Sequence, residues 1–73
     1  MKEYLLEGNI QGQYRALQIY PMFDLPNHYL IHWDGFQVGI IRKNDGVWET
    51  DVASLCDSVI EIGTLIDAYE KKL

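Results

Sequence analysis

Covalent staples are almost absent from this sequence. Cys56 is the one cysteine in 73 residues. Neither a disulfide within the chain nor a multi-cysteine zinc site can therefore form. Positive charge is also scarce, with 6 Lys and Arg against 11 Asp and Glu and a net charge of −5. The basic residues are scattered as Lys2, Arg15, Arg42-Lys43 and Lys71-Lys72. Phosphate backbones are bound through clustered Lys and Arg, so the balance weighs against nucleic acid as a partner. No apolar run approaches the roughly 18 residues of a membrane-spanning helix. Met1 to Ile10 carries Glu3, Glu7 and Asn9. A secretory signal needs a basic start and an apolar stretch of about 7–15 residues, so the expected compartment is the cytoplasm.

The usual chemical signatures are missing too. G-x-S-x-G, H-E-x-x-H and C-x-x-C do not occur. Gly8-Asn9-Ile10-Gln11-Gly12 lacks the lysine and the strand-to-helix setting of a phosphate-binding loop.

What is present is apolar and aromatic. Residues of the apolar class make up 48% of the chain, which excludes a disordered chain. The length fits a single domain spanning 1–73. Core burial alone rarely gives more than about 3–5 kcal/mol at this size, which makes self-association a reasonable expectation.

Turn chemistry and apolar pattern agree best in the centre. Tyr29 to Trp33 and Phe36 to Ile41 flank Asp34-Gly35. Glycine tolerates the positive φ of a two-residue hairpin turn. Such a turn sets Trp33 opposite Phe36, Ile31 opposite Val38 and Tyr29 opposite Ile40, all on one face. At Asn44-Asp45-Gly46, a three-residue loop with Gly46 left-handed would pair Arg42 with Trp48 and bring Trp48 to the face of Ile40. A two-residue loop would send Trp48 to the other face. The first option is preferred because it buries the indole. Upstream, Lys2–Glu7 reads as a first strand, Gly8–Gly12 as its turn and Gln13–Tyr20 as a second strand ending at Pro21. Asp24-Leu25-Pro26-Asn27 reads as a loop.

The C-terminal segment is helical, roughly 54–72. Val52, Leu55, Val59, Ile62, Ile66, Tyr69 and Leu73 recur at alternating spacings of three and four, which is one stripe on a helix. Ser54 with Asp57 fits a capping box, and Lys71-Lys72 suits the negative end of the helix dipole. Gly63, beside the stripe, is read as allowing close approach to the sheet. The expected fold class is α+β: a four- to five-stranded antiparallel meander, strands roughly 2–50, with one C-terminal helix packed on one face.

One helix covers one face, and the other is half apolar. It is expected to carry His28, Leu30, His32, Gln37, Gly39 and Ile41, with either Leu17 and Ile19 or Tyr14, Ala16 and Tyr20 from the second strand. Exposed apolar patches mark interfaces, so Leu30, His32, Gln37 and Ile41 are the candidate interface residues.

The remaining chemistry candidates are weak. His28 and His32 lie about 13 Å apart along a strand, too far to share an ion within one chain. Asp34 is better used as a turn residue than as a ligand. Cys56 borders the apolar stripe, and a small buried residue is the simpler reading than a nucleophile. No catalytic, cofactor or metal residue is assigned. A three-strand meander followed by a helix resembles some small DNA-binding domains in arrangement only, and no residue is carried over from them. The expectation is a non-enzymatic protein-interaction or self-associating domain, its partner a second copy or another protein. The alternative is a nucleic-acid-binding regulator using the open sheet face.

Overall fold

The structure, a computed structural model, describes residues 3–73; the Lys2 start expected for the first strand lies outside them. Five strands follow one another in chain order: β1 (Tyr4–Ile10), β2 (Gln13–Pro21), β3 (His28–Trp33), β4 (Phe36–Asn44) and β5 (Val47–Thr50). They form one curled antiparallel sheet of order β1-β2-β3-β4-β5. A 3-10 turn over Ala53–Leu55 leads into a single helix, α1 (Val59–Glu70). The expected α+β meander with one C-terminal helix is the observed architecture. Among the described residues, no helix is long and apolar enough to cross a membrane.

Three of the four connections in the meander are tight turns. Gln11-Gly12, Asp34-Gly35 and Asp45-Gly46 each place two consecutive residues at positive φ, between 51° and 85°. This is the pattern whose twist matches that of the flanking strands. The first turn is therefore Gln11-Gly12, and Gly8, Asn9 and Ile10 remain strand, against the expected turn over Gly8–Gly12. The third turn has two residues, not three, and pairs Lys43 with Trp48.

A bulge in β4 explains why that shorter turn still buries Trp48. Trp33 pairs with Phe36 and His32 with Gln37, as expected, but Ile31 then pairs with Gly39 and Tyr29 with Ile41. Val38 is the extra residue. Gly39 sits at φ 146°, a conformation that favours glycine. An added Cβ there would lie 2.7 Å from Val52 Cγ2. The one-residue shift exchanges the faces of everything after it. Ile41 becomes fully buried at 0% exposure, while Ile40 is 38% exposed on the opposite face. Ile41 is thus removed from the expected interface, and Trp48, on Ile41's side, enters the core at 8% exposure. Phe36, expected in the core, is 71% exposed at the hairpin end.

The core lies between the sheet and α1. Leu17, Ile19, Ile31 and Ile41 from the sheet meet Leu55, Ile62 and Ile66, each at 0–1% exposure. Leu6, Trp33, Val38, Leu65 and Tyr69 pack around them. The expected stripe is buried from Leu55 to Ile66, whereas Leu73 is 69% exposed. The helix begins later than its stripe. Ser54 falls in the 3-10 turn, and Ser58 is the N-cap without a side-chain capping bond. No Ser54–Asp57 capping box forms. Gly63 lies directly against the Trp48 ring, and an added Cβ would overlap the indole. Its cost in helix propensity, about 1 kcal/mol, is offset by that close approach.

A polar seam joins helix and sheet at the C-terminal end of α1. The Tyr4 and Tyr29 hydroxyls donate to the same oxygen, Glu70 Oε2, at 2.8 and 2.9 Å. Trp48 Nε1 and Lys43 Nζ donate to the two oxygens of Asp67 at 3.0 and 2.7 Å. At the other end of α1, the Gln11 backbone N–H donates to Glu61 Oε1 at 3.0 Å. The helix is therefore pinned to β1 near its C-terminal end and to the β1–β2 turn near its start.

Candidate functional site

Alternation from the three turns fixes what the helix-free face carries. The register places Tyr20, Leu30 and Ile40 directly opposite one another across β2, β3 and β4. One step along the strands, Leu5, Gln18, His32 and Gln37 form a second row across β1 to β4. The far side is polar, with His28 opposite Arg42 and Arg42 opposite Glu49. Strand β2 thus contributes Tyr14, Ala16 and Tyr20 to this face, while Leu17 and Ile19 belong to the core.

The expected interface residues Leu30, His32 and Gln37 do share this face; Ile41 does not, and Ile40 stands in its place. The missed signal was Gly39, since an isolated glycine inside a strand marks a bulge. His32 packs edge-on to Tyr20, with ring centroids 5.1 Å apart. Burial, and then the Glu3 carboxylate near by, raises the Tyr20 hydroxyl above its ordinary pKa. Arg42 bonds to Glu49 at 3.2 Å and to Asp51 at 3.1 Å.

The apolar row continues into the β2–β3 loop, whose sequence signals only a connection. The Met22 N–H donates to the His28 carbonyl at 3.0 Å, and the Lys43 N–H to the Asn27 carbonyl at 2.9 Å. So pinned, the loop holds Phe23 at 87% exposure, the most exposed large apolar side chain among the described residues. Tyr20, Pro21, Met22, Phe23 and Leu30 line a hollow of about 150 Å³ there.

The chemistry candidates do not come together. His28 Nδ1 lies 2.9 Å from the Pro26 carbonyl. Cys56 is exposed, not buried as expected, and its thiol donates to the Val52 carbonyl at 3.6 Å. Among the described residues, no three His, Cys, Asp or Glu side chains converge as a metal site would require. The patch that does come together, Tyr20, Phe23, Leu30 and Ile40, is apolar and aromatic. No protein-family model, curated protein or solved structure matches the chain.

Proposed function

We propose that the chain is a small, non-enzymatic protein-interaction domain that docks through its helix-free sheet face, either to a second copy or to another protein. The carrying observation is the continuous row Tyr20–Leu30–Ile40, extended by the exposed Phe23 on a pinned loop. Apolar side chains held in one plane on a rigid sheet form a contact surface at little entropic cost, and aromatic residues are enriched at such surfaces. Nucleic acid is the weaker reading, because Arg42 on this face is engaged by Glu49 and Asp51 and the net charge is −5.

Molar mass by light scattering, across a hundredfold range of concentration, is the direct test. Where a dimer forms, Leu30→Glu and Ile40→Glu dissociate it and leave the circular dichroism spectrum unchanged. Where the wild type is a monomer, the same variants lose the partner recovered from the native host. Unchanged association in both variants overturns this placement. Retention of duplex or single-stranded DNA at low salt, weakening steeply as salt rises, would favour the nucleic-acid reading.

A further inference from the structure

The two edges of the sheet differ. Strand β5 is four residues long and leads at once into the 3-10 turn, whereas β1 runs seven residues. Pairing next to a two-residue turn starts with a hydrogen-bonded pair and then alternates. From Gln11-Gly12, the bonded pairs are Ile10–Gln13, Gly8–Arg15, Leu6–Leu17 and Tyr4–Ile19. Between them, Leu5, Glu7 and Asn9 turn their backbone N–H and C=O groups away from β2. The alternation is corroborated on the far side of β2, where the Ala16 carbonyl, opposite Glu7, turns to β3 and accepts the Asp34 N–H at 3.2 Å. Among the described residues no protein group bonds the backbone of Leu5, Glu7 or Asn9 from the free side, and all three side chains are exposed. Such an edge is a template for another strand.

Charge selects the strand. The side chains along this edge on the helix-free face alternate as Glu3, Leu5, Glu7 and Asn9, and β1 itself contains no basic residue. Antiparallel pairing of β1 with a second β1 therefore sets no cation against either carboxylate. Next to Leu5 and Glu7 lies a hollow of about 590 Å³, lined by Ala16, Gln18 and Asp34 as well. Leu5, Leu6, Ala16 and Leu17 supply its apolar lining, and Glu7 and Asp34 supply two carboxylates, of which Asp34 is held by Arg15 at 2.8 Å. Strands pair about 4.8 Å apart, so a long basic side chain on an added strand reaches it.

We propose that the free edge of β1 docks an extended basic segment of another protein. That segment adds to the sheet as a sixth strand, with lysine or arginine facing Glu3 and Glu7 and an apolar residue facing Leu5. The site does not use the Tyr20–Leu30–Ile40 row, so the basic segment can bind whether or not that face is covered.

The test is amide exchange by NMR on the full chain, with a blocked heptapeptide, Thr-Lys-Thr-Leu-Thr-Lys-Thr, as probe. Its counterpart carries glutamate in place of both lysines. The lysine peptide should slow exchange at Leu5, Glu7 and Asn9 at least tenfold, and the glutamate peptide should not. Leu5→Pro removes one outward N–H while sparing the ladder, and should abolish the protection. Glu7→Lys, at an exposed position, should shift the preference toward the glutamate peptide. Leu30→Glu should change nothing, so failure of the face and failure of the edge give different results. Equal protection by both peptides, or shifts centred on Leu30 and Ile40, overturns the proposal. Protection of the three amides without peptide, rising with protein concentration, also overturns it by placing a second copy on the edge.

Discussion

Ile40 and Ile41 are chemically identical neighbours that should behave as opposites. Ile41 is 0% exposed between sheet and helix, and Ile40 is 38% exposed on the helix-free face. Truncating a fully buried isoleucine to alanine costs about 2–5 kcal/mol, the spread reflecting how far the cavity collapses. Residues close around Ile41 on both layers, so the upper half of that range is expected, about 3–4 kcal/mol. Ile40→Ala gives up only partly buried surface, worth roughly 1 kcal/mol. At roughly 0.05–0.15 kcal/mol per residue, a domain of this size has about 4–11 kcal/mol in all. Ile41→Ala then removes a large fraction of the stability and Ile41→Glu leaves no folded protein, while both Ile40 variants fold. Urea unfolding followed by Trp fluorescence and far-ultraviolet circular dichroism measures this, with an unchanged m-value showing that midpoint shifts are stability shifts. Equal losses at the two positions, or the larger loss at Ile40, would refute the bulge at Val38-Gly39 and with it the assignment of every later residue to its face.

Gly63→Ala should destabilise by about 1–3 kcal/mol despite alanine's better helix propensity, because the methyl meets the Trp48 ring. A shift in Trp fluorescence should accompany it, and a stabilised variant would contradict the contact. Burial, and then Glu70, pushes the Tyr4 hydroxyl up to about 12 and raises Tyr29 as well. An unfolded tyrosine titrates near about 10. The stability these hydroxyls contribute is therefore intact below pH 10 and lost as pH climbs from about 10 to about 12. Glu70→Gln should bring both titrations down, read by ultraviolet difference spectroscopy. Cys56 is exposed, so a thiol reagent should label it in native buffer as completely as in denaturant. Protection in native buffer would contradict that placement.

The parts of the fold legible in the sequence are those written in local chemistry. Asp34-Gly35 specifies its hairpin because few residue pairs tolerate two positive φ values in succession. The helix stripe from Leu55 to Ile66 is legible because burial repeats with the helical period. Less legible were features set by contact between distant elements. Gly39 reads from its neighbours as an ordinary strand residue, though Val52 and Leu55 press against it from beyond β5. The preference for a three-residue loop at Asn44-Asp45-Gly46 came from the same omission. With Ile40 assumed buried, only that loop could bury Trp48. The helix start was placed at Ser54 because Val52 and Leu55 keep the stripe's spacing, although a 3-10 turn holds Leu55. In the candidate interface, Leu30, His32 and Gln37 precede the bulge or sit beside it and keep their expected face, whereas Ile41 lies beyond it and loses its place.

The strictly sequential strand order has a consequence for how the molecule folds. Each strand pairs only with its chain neighbours, and local pairing of this kind is rapid. The sheet can therefore pair before α1 docks on it, with Leu17, Ile19, Ile31 and Ile41 still bare to water. Only when Ile62 and Ile66 arrive does that surface gain its cover, and only then can Tyr4 and Tyr29 find Glu70. Until α1 docks, the folding chain carries an open apolar sheet, a window in which chaperones or aggregation compete with the helix.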